Sequence, residues 1–182
     1  MMFFAIVPKP DVPEYCYHQY LWAYFKKDKG EQRPFLFRVM TDAIVMLSRE
    51  KQSCPSVAIA DRITAGLALQ FDVLCNPARS QLIDSEKTKK RRVPYKTNAE
   101  RHDWFKRRIG EAADSRFVQV FDRPQRRFKK GDGNKIIIDE CVIRGVVYIN
   151  DRSEFIDILL NGVGGRGAWG YGLMLLPEVM TC

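Results

Sequence analysis

Histidine is nearly absent from this chain: 182 residues contain two, His18 and His102. The five cysteines (Cys16, Cys54, Cys75, Cys141 and Cys182) are odd in number and at least 21 residues apart. Such spacing fits reduced, small hydrophobes in a cytoplasmic protein rather than a disulfide scaffold. No C-x-x-C or H-x-x-x-H pair occurs, and no carboxylates cluster at metal-ligand spacing, so neither metal nor cofactor is expected. A Walker loop and a nucleophile elbow are also missing. No apolar run approaches the ~20 residues of a membrane span. The stretch Met1–Val7 runs straight into Pro8-Lys9-Pro10, which reads as an edge strand and not a signal segment, so no membrane partner is expected.

What is present is a core-forming composition with a displaced charge. Hydrophobic residues make up 46% and charged residues 29% of the 21.1 kDa chain, enough for one domain or two small ones. The net charge of +8 is unevenly spread. Between Arg79 and Lys135 there are 18 basic and 8 acidic residues, and the remainder is slightly acidic. A local cationic field of that size points to a polyanion, and nucleic acid is the commonest.

Along the chain, Phe3–Val7 reads as a strand. Asp11-Val12-Pro13-Glu14 then carries helix-start signals: a capping Asp, an early Pro and a Glu three residues after the cap. A helix is expected to about Phe25, with Tyr15, His18, Trp22 and Phe25 on one stripe. Two strands follow within Pro34–Leu47, then a short helical stretch at Ser56–Arg62 and a strand at Leu67–Cys75. The densest charge comes next, Lys87, Lys89, Lys90, Arg91 and Arg92, in what reads as an inter-domain segment. A helix is expected from Asn98 to about Ala113, with Arg101, Lys106, Arg107 and Arg108 largely off its apolar side. A strand at Phe117–Phe121, a basic turn through Arg126 and Arg127 to Asn134, and a β-rich run from Lys135 to Ile149 complete the middle. Asp151 caps a last helix, to Leu160, before a glycine-rich loop and a strand at Gly172–Leu176. This order reads as α+β, with two tandem ferredoxin-like (RRM-like) domains. The expected boundaries are 1–78 for the first domain, 79–96 for a basic connector and 97–182 for the second.

Two features could carry chemistry. His18 lies one turn after Tyr15, which admits an aromatic core stripe or an acid–base pair near a phosphodiester. His102, between Arg101 and Asp103, reads as a surface residue. The loop Gly162–Gly172 holds six glycines in eleven positions, with a G-x-G-x-x-G match at Gly162, Gly164 and Gly167. It follows a helix and enters a strand, the reverse of a dinucleotide fingerprint. It reads either as a tight turn or as bare backbone at Gly164 that a phosphate chain can approach, with Arg166 as its charge.

Collinear segments resemble a known family, the CRISPR precursor-RNA processing endoribonuclease of the subtype I-E Cascade, CasE. Tyr15-Cys16-Tyr17-His18-Gln19-Tyr20-Leu21-Trp22 is similar to the family's Y-x-x-H-Q-x-L-W helix. Pro34–Val39, Asn76-Pro77, Arg92-Val93-Pro94, Arg123-Pro124-Gln125 and Gly145–Asp151 fit as well. The C-terminal loop ending Gly170-Tyr171-Gly172-Leu173-Met174 resembles the hallmark of the repeat-associated RNA-binding superfamily. The resemblance implies metal-independent cleavage at the 3′ base of a CRISPR repeat hairpin by the RNA's own 2′-hydroxyl, leaving a 2′,3′-cyclic phosphate. It implies His18 as general acid or base, Tyr15 as orienting or stabilising group, and retention of the product beside other Cascade subunits. Lys87, Lys89, Lys90, Arg91, Arg92, Lys106, Arg107, Arg108, Arg126, Arg127, Gly164 and Arg166 are the expected RNA contacts. Two departures stand out. Gly167 occupies a position where the family carries Lys or Arg, so Arg166 is the expected substitute. The stretch between Glu50 and Leu67 is also short. The runner-up class is a non-catalytic tandem-ferredoxin RNA-binding subunit; a basic structural protein of a ribonucleoprotein explains the charge but not Tyr15, His18 and the loop together.

Overall fold

The computed structural model describes residues 1–25, 33–84, 87–129, 135–165 and 167–181. The first unit comprises β1 (Phe3–Pro8), a 3-10 turn (Glu14–Cys16) running into α1 (Tyr17–Trp22), β2 (Phe35–Val39), β3 (Ala43–Ser48) and β4 (Val57–Ala58). Its antiparallel sheet has the order β2-β3-β1-β4. The second unit begins with β5 (Ala68–Cys75) and a hairpin of β6 (Ala78–Asp84) and β7 (Lys87–Pro94), then α2 (Asn98–Ile109) and β8 (Ala113–Asp122). A second hairpin, β9 (Arg126–Lys129) and β10 (Lys135–Ile138), precedes β11 (Cys141–Ile149), α3 (Arg152–Asn161) and β12 (Met174–Leu175). The order here is β12-β5-β11-β8. With the hairpins set aside, both sheets are ferredoxin-like: the first and third strands of each unit are central. The fold is the tandem arrangement expected.

The boundaries differ. The strand expected to close a domain at 1–78 is β5, and it pairs with β11 along its whole length from Ala68 to Cys75. It therefore opens the second unit. The fourth strand of the first unit is the two-residue β4 on the edge of β1. Alternating apolar residues mark a strand but not its partner, and the stronger pattern masked the weaker. The segment 79–96 is not a connector either. It is mainly the β6–β7 hairpin, inserted between β5 and α2 within the second unit.

Local chemistry explains the helices. The helix expected from Glu14 to Phe25 is instead a 3-10 turn plus six α-helical residues, entered through Pro13 without a side-chain cap. Its buried residues are Tyr17, Leu21 and Trp22, so Tyr15 and His18 stand outside the aromatic core. In α2, the Thr97 hydroxyl accepts from the Glu100 amide and the Glu100 carboxylate accepts from the Thr97 amide. The Thr97 amide, the Lys96 amide and the Thr97 hydroxyl all donate to the Glu100 carboxylate and hold it below the usual carboxylate range. The helix stops at Gly110 (φ +56°), short of Ala113. Arg101 faces inward, buried at 8% exposure, pairing with Asp122 and donating from Nε to the Tyr95 carbonyl at 3.2 Å. Asp151 caps α3 as expected, accepting from the Glu154 amide at 2.9 Å.

The first sheet is buried on both faces, which is why Ile44-Val45-Met46-Leu47 shows no alternation. Ile44 and Met46 pack with Phe35, Phe37 and the α1 side chains. Val45, Leu47, Leu36 and Phe4 join a core that includes Phe71, Phe105, Phe155 and Leu159 of the second unit. Among the described residues of the first unit no second α-helix forms: residues 49–56 run from β3 to β4 as a loop, and α3 packs against β2. The short helix expected at Ser56–Arg62 is β4 followed by a 3-10 turn, Ala60–Arg62.

Candidate functional site

His18 and Tyr15 come together through the backbone. Nδ1 of His18 lies 3.1 Å from the Tyr15 carbonyl oxygen. A carbonyl only accepts, so Nδ1 carries the proton and Nε2 is the ring's basic nitrogen. The 3-10 turn beneath is pinned from the other unit, because Nη2 of Arg126 reaches Glu14 at 2.5 Å. Burial alone would lower the Arg126 pKa; Glu14 and Tyr171 more than offset it, and the net shift is upward. Arg126, expected to hold RNA, is thus paired inside the protein. It also lies 5.2 Å from the Phe128 ring centroid.

The glycine-rich loop packs beside this helix. Its ends are tied by the Val163 amide to the Gly172 carbonyl and the Gly172 amide to the Leu74 carbonyl, both at 2.8 Å. A 3-10 turn, Gly167–Trp169, rests on α1 and β2. Tyr171 donates to the buried Glu140 carboxylate, which also accepts from Arg123 Nε at 3.2 Å. Burial and that bond push the Tyr171 hydroxyl pKa upward.

The bare backbone expected for a phosphate is used first by the protein's own side chains. At Gly164 (φ +91°) a Cβ would meet Cζ2 of Trp104 at 2.7 Å, so glycine there admits the indole. A Cβ at Gly165 would run into the Arg92 guanidinium, and one at Gly167 into Nη2 of Arg33. Arg166 lies outside the described residues. On the Gly164–Gly165 side opens a cavity of about 520 Å³, edged by Arg79, Arg92, Arg107 and Arg108 with Tyr95 and Trp104. Arg107 reaches the Tyr95 hydroxyl at 3.4 Å, and Arg108 lies 5.9 Å from the Trp104 ring. Four of the expected RNA contacts, Arg92, Arg107, Arg108 and Gly164, therefore converge, and Arg79 joins them.

The other expected contacts among the described residues lie on the same unit. Lys87, Lys89, Lys90 and Arg91 fall on β7, where Arg91 is exposed, and Lys106 is exposed on the last turn of α2. Arg127 is exposed on β9. His102 is half-buried, 3.6 Å from the Asp103 carboxylate. Among the described residues no three His, Cys, Asp or Glu side chains are gathered as a metal site would require. No described helix is long and apolar enough to cross a membrane.

A family model, CRISPR associated protein, matches residues 11–177. The chain is 31% identical over 185 residues to the CRISPR system Cascade subunit CasE of Escherichia coli K12, spanning 91% of this chain and 92% of that one. It belongs to the CasE family. A crystal structure of the CRISPR-associated protein Cas6e from Escherichia coli K-12 superposes with a TM-score of 0.78 at 26% identity, over 97% and 98% of the two chains. Thermus thermophilus Cse3 bound to an RNA representing a pre-cleavage complex superposes at 0.75, over 96% and 97%; at 19% identity that likeness concerns the fold.

In this CasE-family chain, sequence reasoning missed Arg33 and Arg79. Arg33 ends the mixed-charge stretch Lys26–Arg33 and Arg79 stands apart from any charge run, and only the fold reveals their neighbours. Thr97-Asn98-Ala99-Glu100, by contrast, is a readable capping signature.

Proposed function

We propose that the chain is an endoribonuclease that cuts CRISPR repeat RNA at the 3′ base of its hairpin and keeps the product as the hairpin-end subunit of a Cascade. The RNA 2′-hydroxyl loses its proton as its oxygen bonds to phosphorus. The P–O5′ bond then breaks, and the departing 5′-oxygen takes up a proton, leaving a 2′,3′-cyclic phosphate. His18 performs one of these two transfers through Nε2. Tyr15, 36% exposed at the surface, orients or stabilises the reacting phosphate. Arg92, Arg107 and Arg108, with Arg91 and Lys106 beside them and Lys87, Lys89 and Lys90 on the same strand as Arg92, neutralise stem phosphates. Arg127 extends that surface, whereas Arg126 acts by holding the 3-10 turn.

The observation that carries this reading is the His18 ring, its Nδ1 facing the Tyr15 carbonyl, on a helix that packs against a loop flanked by arginines. The relatives' naming as endoribonucleases and Cascade subunits supports it. The test is incubation of the full chain with end-labelled repeat RNA and chelator. A single cut with a cyclic-phosphate end is expected. Tight binding without a cut would leave the non-catalytic RNA-binding subunit as the correct reading.

A further inference from the structure

Arg33 is an anomaly in the charge arrangement. Its Nε is buried without a hydrogen-bond partner, and it forms no ion pair or hydrogen bond among the described residues. Burial pulls its pKa below the usual guanidinium value, and no carboxylate among the described residues offsets this. A cation in such a place is costly unless an anion arrives. The rest of the side chain is arranged to receive one. The guanidinium carbon lies 5.6 Å from the Phe35 ring centroid, which orients the fork. Nη2 lies where a side chain at residue 167 would begin. Gly167 opens the 3-10 turn that packs on α1, the helix of His18. Arg33 is half-buried and not sealed, so an approaching group can still reach it.

We propose that Arg33 is a catalytic phosphate ligand: its guanidinium crosses bare Gly167 to bind the phosphate that His18 serves, the inference resting on the cleavage reading above. A fixed fork of N–H donors matches two non-bridging phosphate oxygens. Charge grows on those oxygens as the five-coordinate phosphorus forms, and a pre-positioned cation stabilises it. Gly167 is then required for space, because any side chain would displace the fork.

The test uses the full chain and a repeat-hairpin RNA with wild type, Arg33→Met, Arg33→Lys and Arg33→Met/Gly167→Lys. Single-turnover cleavage, the salt dependence of binding and thermal melting are measured for each. Arg33→Met keeps the stem against Phe35 and is expected to cut about 10²–10³-fold slower. Its binding salt slope should fall by about one unit. Arg33→Lys should fall between, having charge without the fork. In the double variant, the ammonium introduced by Gly167→Lys enters the vacated space and should recover at least about tenfold of the lost rate, a rescue that a packing role would not give. Wild-type rate and salt slope in Arg33→Met would overturn the proposal while leaving the cleavage reading intact. Absence of any cut by wild type would overturn that reading instead, and the salt slope alone would then decide whether Arg33 meets a phosphate. Should Arg33→Met melt early, a wild-type rate in Arg33→Lys would be the overturning result.

Discussion

The two ferredoxin-like units divide the work unequally. The first supplies the candidate chemistry: Tyr15, His18 and Arg33 all lie before β3. The second supplies the proposed grip, through β7, the last turn of α2 and the cavity edged by four arginines. It also contributes the glycine loop that lies between the two sets. The stability is not divided in the same way. The first unit has a two-residue fourth strand and no second helix among its described residues, and its second face is covered by its neighbour. Asp72 of β5 makes a further joint, bonded by Arg38 of β2 and by Arg144 of β11, the latter at 2.5 Å. Function can therefore be separated by mutation where folding cannot.

The sharpest way to break the comparison is at His18. His18→Ala should slow cleavage by about 10²–10⁴-fold while hairpin affinity stays near wild type. Equal loss of binding would mean that the first unit also grips. The joint comes next. Phe155 is fully buried in the shared core, and Phe155→Ala should cost about 3–5 kcal/mol. Calorimetry should show one transition moving as a whole; two separated transitions would show that the units melt independently. On the binding side, Arg91→Ala combined with Arg92→Ala should lower the salt slope by about one unit per lost phosphate contact. Saturating RNA should restore the cutting rate. The smallest effect belongs to α2: Thr97→Ala should cost about 1 kcal/mol by removing the cap, read from denaturant midpoints with cleavage unchanged.

What could be read beforehand follows from which interactions are local. The Asp151 cap, the β2–β3 hairpin and the start of α2 depend on neighbours in sequence, and all were legible. The owner of β5 was not, because pairing to β11 is set across more than sixty residues. Nor was the inward turn of Arg101, whose partner Asp122 lies 21 residues away. The spacing of Tyr15 and His18 leaves both a core stripe and an acid–base pair open, and it places both residues on one regular helix. The 3-10 turn places the Tyr15 carbonyl, instead, against the imidazole. At the glycine loop the pattern of residue types was visible and its use was not. The missing side chains at 164, 165 and 167 make room for an indole and two guanidinium groups that arrive from three distant segments.

The shared core has a consequence for synthesis. Leu47 leaves the ribosome about 110 residues ahead of Leu159, one of the residues that covers its face of the sheet. At ordinary elongation rates that interval is roughly 5–20 s. Throughout it, Leu36, Val45 and Leu47 lack the α3 side chains they pack with, while α1 can already dock on the opposite face. A nascent chain stalled before Arg152 should therefore recruit hydrophobic-binding chaperones, and one released after Asn161 should not.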